Sequence, residues 1–249
     1  FDKESNETAA QFVRSKIRER VNDPKTAEML CPLPGVTYGT KRQPCETGYF
    51  ETFNQDNVTL VDVSKSPIEE LVPEGLRTSD ETYELDILIY ATGFDAFTGA
   101  LFKMNVTGCN GQTLNEHWSN GPRSYLGLSV TGFPNMFIIT GPQSPSVFYN
   151  FPLGIETHCE WIADCIRHMN ETGQATVDVD QAHENKWNKD ILEFADTTLF
   201  PEAKSWYMGD NIPGKPRVFA VYMGGGPVYQ DIIDQEAADK YPSYNFAAG

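Results

Sequence analysis

Two adjacent cations, Lys41 and Arg42, close the string Gly39-Thr40-Lys41-Arg42 and offer two kinds of anion chemistry. A guanidinium stays charged and presents several fixed donors to a developing oxyanion, whereas an ammonium meets a phosphate as a compact point charge. On residue type alone a Lys-Arg pair is commonly a solvated surface feature, so its meaning depends on its surroundings. A second candidate is Trp206, inside Ser205-Trp206-Tyr207-Met208-Gly209-Asp210-Asn211-Ile212-Pro213-Gly214-Lys215-Pro216-Arg217. Gly209, Pro213 and Gly214 suit a closing loop better than a helix. A third is Gly141-Pro142-Gln143-Ser144-Pro145-Ser146, which continues to Asn150-Phe151-Pro152. Ser144 and Ser146 are not nucleophile candidates, since neither lies in GxSxG and no triad order is evident. His158, Cys159, Cys165 and His168 do not make a zinc site. His158 and Cys165 are seven residues apart on one expected helix, roughly 10 Å along its axis, too far for two ligands of one tetrahedral ion. His183-Glu184 lacks the second histidine of HExxH, and no metal is expected.

These residues need elements to hold them. Leu85, Ile87, Leu88, Ile89, Tyr90 and Ala91 form a nearly continuous apolar run, as for a parallel strand covered on both faces, and Thr92-Gly93 turns the chain out of the sheet. Ligands of open α/β sheets bind at such carboxyl ends. Val58–Val63, Ile68–Val72, Met136–Thr140 and Val218–Tyr222 read as further strands. Ala9, Phe12, Val13, Ile17 and Val21 mark one face of a first helix, and Asp23-Pro24 starts a second that stops near Leu30. Ile155, Cys159, Ile162, Ala163, Ile166 and Met169 follow helical spacing, as do Trp187, Ile191, Phe194, Ala195 and Leu199 behind the N-cap Asp180, and a short helix carries Ile232, Ile233 and Ala237. No GxGxxG occurs, so the usual pyrophosphate cradles are absent, and Gly35–Lys41 has neither the spacing nor the ending of a P-loop.

The 249 residues are 40% hydrophobic, enough for one large domain or two smaller ones. A net charge of −16 repels phosphate backbones and anionic headgroups, which argues against nucleic acid and membrane partners. Apolar runs fall short of the roughly 18 residues of a spanning helix, and the first residues are no export signal. Five cysteines without CxxC spacing suit free thiols in a reducing, cytoplasmic setting, so the four Asn-X-Ser/Thr sequons read as accidental.

The segment Ala91-Thr92-Gly93-Phe94-Asp95, continuing through Thr98, Gly99, Ala100, Leu101 and Phe102, resembles the ATGFD segment of class B flavin monooxygenases of the Baeyer-Villiger type. Gly39-Thr40-Lys41-Arg42 with Gly48–Val58, and the Trp206 string, carry the same resemblance, which spans essentially the whole chain. It implies an α/β flavoprotein fold with two dinucleotide-binding (FAD and NADP, Rossmann-like) domains, both incomplete here, and a helical insertion. Residues 1–39 would belong to the insertion, 40–90 to the returning NADP domain and 91–249 to the C-terminal part of the FAD domain. The missing N-terminal half of the same chain would be the principal partner. The implied chemistry uses FAD, NADPH and O2 to convert ketones to esters or lactones through a C4a-peroxyflavin. In that scheme Arg42 is catalytic, Lys41 approaches the 2′-phosphate of NADP, and Trp206 covers that cofactor. Gly93, Asp95 and Phe151 lie in the FAD region, and Ser146, Val147 and Phe148 line the substrate pocket. Phe151 replaces a methionine of phenylacetone monooxygenase, and Val147-Phe148-Tyr149 is bulkier, which leaves the ketone open. Two alternatives remain at this point: a flavin monooxygenase oxidising nitrogen or sulfur, and a catalytically silent fragment or pseudoenzyme.

Overall fold

The computed structural model describes residues 1–249 as two compact units, Asp2–Gly93 and Phe94–Gly249, the latter joined by Phe1. In the first unit, α1 (Lys3–Arg20) starts at the N-cap Asp2, whose carboxylate accepts from Ser5 N–H at 2.8 Å. α2 (Pro24–Leu30) starts at Asp23 with proline in its first turn, as the sequence indicates. The buried stripe of α1 is rotated from the expected one. Ala10, Arg14 and Ile17 are buried while Phe12 is exposed, because the Arg14 guanidinium turns inward to donate to Pro32 O at 2.8 Å. Ile17, Val21, Ala27 and Cys31 make the small core of this unit. After the one-turn α3 (Tyr49–Thr52), an antiparallel meander of β1 (Ile68–Val72), β2 (Gly75–Thr78) and β3 (Thr82–Glu84) follows.

The strands expected at Val58–Val63 and Leu85–Ala91 do not form. Leu85–Ala91 pairs with no neighbouring strand, and Ile87 and Ile89 are 77% and 80% exposed. Open grooves of about 610 Å³ and 460 Å³ adjoin Val61 and Val63, the first also lined by Met29 and Leu33, the second by Leu76 and Tyr83. Both segments have strand composition and lack a neighbouring strand, without which an extended segment gains little.

The second unit contains α4 (Gly99–Lys103), α5 (Leu114–His117), α6 (Phe151–Thr172), β4 (Thr176–Val179), α7 (Gln181–Asp196), α8 (Gly226–Ala238) and β5 (Tyr244–Ala247). β4 and β5 pair antiparallel, with Val177 opposite Phe246. Asn150 caps α6 and Gly173 ends it with φ 70°, and Asp180 caps α7 as expected. Trp161, Cys165, Trp187, Ile191, Tyr207 and Ile233 meet in one core. Met136–Thr140 and Val218–Tyr222, expected as strands, are instead irregular segments with scattered backbone bonds: Ile138 N–H to Leu128 O at 2.8 Å in the first, and in the second Gln143 N–H to Ala220 O at 2.7 Å and Tyr222 N–H to Ser144 O at 2.9 Å among others.

Two turns, at residues 124–128 and 140–146, face each other in this unit. Leu126, Gly127, Thr140, Gln143 and Ser146 all have φ between 42° and 72°. Left-handed backbone costs a non-glycine residue of order 1–2 kcal/mol, so the surroundings must hold these turns. Ser124 supplies two contacts, its N–H to Gln143 Oε1 at 2.9 Å and its hydroxyl to Pro142 O at 2.6 Å. From α6, His158 Nδ1 accepts from Thr140 N–H at 3.0 Å, which fixes the proton on Nε2. That nitrogen lies 2.7 Å from the Tyr229 hydroxyl of α8, which donates to Leu126 O at 2.5 Å. Nε2–H therefore donates to Tyr229, and His158 is a neutral bridge between the turns.

Burial lowers the His158 pKa from 6.5 to about 4. A group held neutral in the fold but protonated when unfolded stabilises fully above pH 6.5, and that stability is lost as pH falls from 6.5 through 4. The amount is about 3 kcal/mol. Urea titrations at pH 7 and 4.5 should show this acid loss in the wild type and a shallower one in His158→Gln. Gly127→Ala should cost about 2 kcal/mol or more in the same titrations, since a β-carbon there meets Ser144 Cβ at 2.3 Å and φ is +72°.

Candidate functional site

In the first unit, Lys41 and Arg42 lie on the irregular connection between α2 and α3, and both are exposed. Gly39 precedes them with φ 82°, and Thr40 is buried with its hydroxyl on Thr37 O at 2.8 Å. The turn thus buries the small threonine and leaves the two cations outward, where a phosphate or oxyanion could reach them. Tyr38 is fixed just before the turn, its N–H donating to Asn6 Oδ1 at 2.9 Å and its carbonyl accepting from Asn6 Nδ2 at 2.7 Å. Just after it, Arg20 holds Glu46 at 2.5 Å, and Glu46 in turn accepts from Tyr49 N–H. The Arg20 side chain keeps the Glu46 carboxyl below the usual carboxylate range. Gly93, at the end of this unit, has φ 85° and open space where a β-carbon would sit. It is a backbone position that could approach a ligand closely.

The second unit gathers the remaining candidates. Ser146, Val147 and Phe148 form one 3₁₀ turn directly before α6, with Ser146 buried and Phe148 exposed, and Phe151 opens α6 itself. Trp206 is half-buried at the start of another 3₁₀ turn, Trp206–Met208, where Ser205 Oγ accepts from Tyr207 N–H at 3.2 Å. The loop expected here thus contains one short 3₁₀ turn, between extended Ser205 and left-handed Gly209 with φ 82°. Tyr207 joins the two places, with ring centroids 4.0 Å from Trp206 and 5.2 Å from Phe148. On its other side Trp206 meets Phe97 at 5.5 Å. Asp95 is already engaged: its carboxylate pairs with Lys215 at 2.6 Å, and the same ammonium donates to Ala96 O at 2.7 Å. The carboxylate therefore stitches residues 95–97 to the chain after Trp206, a positioning contact rather than an open ligand group.

Sequence reading missed Asn6, His158, Tyr229, Lys215 and Phe97. The one available signal was Lys215 beside Pro213-Gly214 in the Trp206 string; the others act across long sequence separations. His158, set aside as a metal ligand, has instead the bridging role described above. Among the ionisable side chains no group suited to a metal ion forms.

Cofactor fit can be judged on donor chemistry. Two outward cations beside a left-handed glycine suit an anionic group, and a partly exposed Trp206 ring offers a flat apolar surface. No helix of the structure is long and apolar enough to cross a membrane.

No family model matches the chain. A Baeyer-Villiger monooxygenase of Pseudooceanicola batsensis is 44% identical over 96% of this chain and 43% of its own length. The solved OTEMO complex with FAD and NADP is 41% identical, with a TM-score of 0.92 over 99% of this chain and 45% of that one. Cyclohexanone monooxygenase from Rhodococcus sp. Phi1 bound to NADP+ is 37% identical, with a TM-score of 0.93 over the whole of this chain and 46% of that one. The chain spans less than half the length of the curated relatives it matches. Its fold is accordingly a partial α/β flavoprotein fold, which accounts for strand-like segments without neighbours. Agreement in sequence and fold over essentially its full length, against somewhat under half of each relative, supports this chain as a C-terminal fragment of a Baeyer-Villiger monooxygenase.

Proposed function

We propose that this chain is the C-terminal part of a cytoplasmic, FAD-dependent and NADPH-consuming monooxygenase that converts ketones to esters or lactones with O2. The observation that supports it most is the near-complete superposition on a cyclohexanone monooxygenase bound to NADP+, at a TM-score of 0.93. The outward Lys41-Arg42 turn supplies the chemistry expected of such a site.

When bound, the flavin supplies the activated oxygen. Everything else falls to the protein. Lys41 places an ammonium for the 2′-phosphate that distinguishes NADPH from NADH. Arg42 stabilises negative charge as it develops on oxygen beside the ketone carbon, using several fixed donors that need no reorganisation. Trp206, backed by Phe97 and Tyr207, covers the nicotinamide cofactor and excludes water. Ser146, Val147 and Phe148 line the ketone pocket, and Phe151 and Gly93 approach the flavin.

In the full-length, FAD-loaded enzyme, Arg42→Ala should lower ester formation by about 100- to 1,000-fold while NADPH-driven flavin reduction persists, since hydride transfer builds little anionic oxygen. Rapid mixing with product analysis measures both; normal ester yield would refute the catalytic role. Lys41→Ala should weaken NADPH by about tenfold and leave NADH nearly unchanged in steady-state kinetics. Trp206→Ala should divert NADPH oxidation into hydrogen peroxide. A drop in melting temperature without peroxide leakage would make that tryptophan a packing residue only.

A further inference from the structure

The connection from Cys31 to Gly48 contains no helix or strand, yet it must present Lys41 and Arg42 at a fixed place if they act on a ligand. One face of α1 grips it at three points. Arg14 Nε donates to Pro32 O at 2.8 Å, Asn6 makes its paired contact with the Tyr38 backbone, and Arg20 binds Glu46 at 2.5 Å. At 100° per residue, positions 6, 14 and 20 fall in one stripe about 120° wide, spread over about 21 Å of axis. The connection runs back along the helix from Arg14 at Pro32 to Asn6 at Tyr38, and then forward to Arg20 at Glu46, so it reverses around the Lys41-Arg42 turn. Arg14 reaches only the beginning of the connection, and Arg20 acts through one flexible glutamate. Asn6 alone holds backbone, donor and acceptor together, three residues before Lys41.

We infer that Asn6 is a positioning residue for the Lys41-Arg42 turn, and that α1 serves as the splint which gives those cations their geometry. The inference rests on the roles proposed above for Lys41 and Arg42. An amide is the side chain suited to the task, because it accepts from a backbone N–H and donates to a backbone carbonyl of the same residue. Aspartate keeps the acceptor, loses the donor and sets a carboxylate oxygen against Tyr38 O; alanine loses both contacts. The first sequon, Asn6-Glu7-Thr8, has its amide committed to this clamp.

The test uses the full-length, FAD-loaded enzyme and four variants: Asn6→Ala, Asn6→Asp, Lys41→Ala and the double variant Asn6→Ala with Lys41→Ala. Amide hydrogen exchange over residues 35–45 reports on the clamp without catalysis, and Asn6→Ala should speed it by about tenfold. The ratio of kcat/KM for NADPH to that for NADH reports on Lys41. It should fall about three- to tenfold in Asn6→Ala, less in Asn6→Asp, and no further in the double variant than in Lys41→Ala alone. The fraction of NADPH oxidation that yields ester, which reports on Arg42, should fall in parallel. If Lys41→Ala lowers the cofactor ratio while both Asn6 variants leave ratio and ester yield unchanged, Asn6 is merely structural and the inference is overturned. Should Lys41→Ala prove silent here and Arg42→Ala in the experiment of the preceding subsection, the underlying reading fails first and the inference falls with it.

Discussion

The hydrogen bond from Thr140 N–H to His158 Nδ1 fixes more of the second unit than its size suggests. It sets the imidazole tautomer, the tautomer sets the direction of the bond to Tyr229, and Tyr229 in turn closes on Leu126 O. Two left-handed turns are thereby tied to α6 and α8, and the 3₁₀ turn of Ser146, Val147 and Phe148 leaves one of them at a defined angle. Remove the bridge and Leu126 O, Thr140 N–H and a buried imidazole all lose partners at once. Leaving buried polar groups unmet costs more than the net value of each bond made. Strain in the turns and satisfaction of the bridge are thus two sides of one arrangement: the backbone accepts an uncommon conformation because helices on either side supply matching donors and acceptors.

The first unit solves a similar problem with a different device. Its candidate turn is on the surface, so packing cannot hold it, and α1 does so with side chains that reach across to backbone. In a chain of net charge −16, a turn that places Lys41 and Arg42 outward is a local reversal of sign. Its attraction for an anion is screened within about 8 Å at physiological salt, so position rather than long-range field decides whether it recognises anything. On the roles proposed for Lys41 and Arg42, the clamp on Tyr38 therefore bears on specificity as well as on order.

Helices were legible in the sequence because their signals are local. Asp23-Pro24, Asp180 and the spacing of Ile155 to Met169 announce α2, α7 and α6, and all three form there, although α6 buries Trp161, Cys165 and Met169 and leaves Ile155, Cys159 and Ile166 of the expected stripe exposed. The strands were legible only as composition. Ile87, Ile89 and Tyr90 have the residue types of a covered strand, but a strand is a relation between two segments, and here no second segment pairs with them. Candidate site residues divide the same way. Lys41, Arg42 and Trp206 stood out through short strings, whereas Asn6, Lys215 and Tyr229 act on backbone or carboxylate 32, 120 and 103 residues away, where no string can show it.

The two ways of failing to read a strand differ physically. Met136–Thr140 lost its strand character to local geometry: Asn135 and Thr140 adopt positive φ, and Asn135 instead bonds with Val177. Its apolar side chains are nonetheless used, since Ile138 is buried beside Leu114 and Trp118. Leu85–Ala91 has no such employment, and its side chains face water. A continuous exposed run of this kind is unfavourable by about 1.5–3 kcal/mol for each large apolar side chain left uncovered. The first segment thus buries Ile138 while Ile139 stays 45% exposed, and the second buries none of its large apolar side chains, a difference that burial reveals and composition does not.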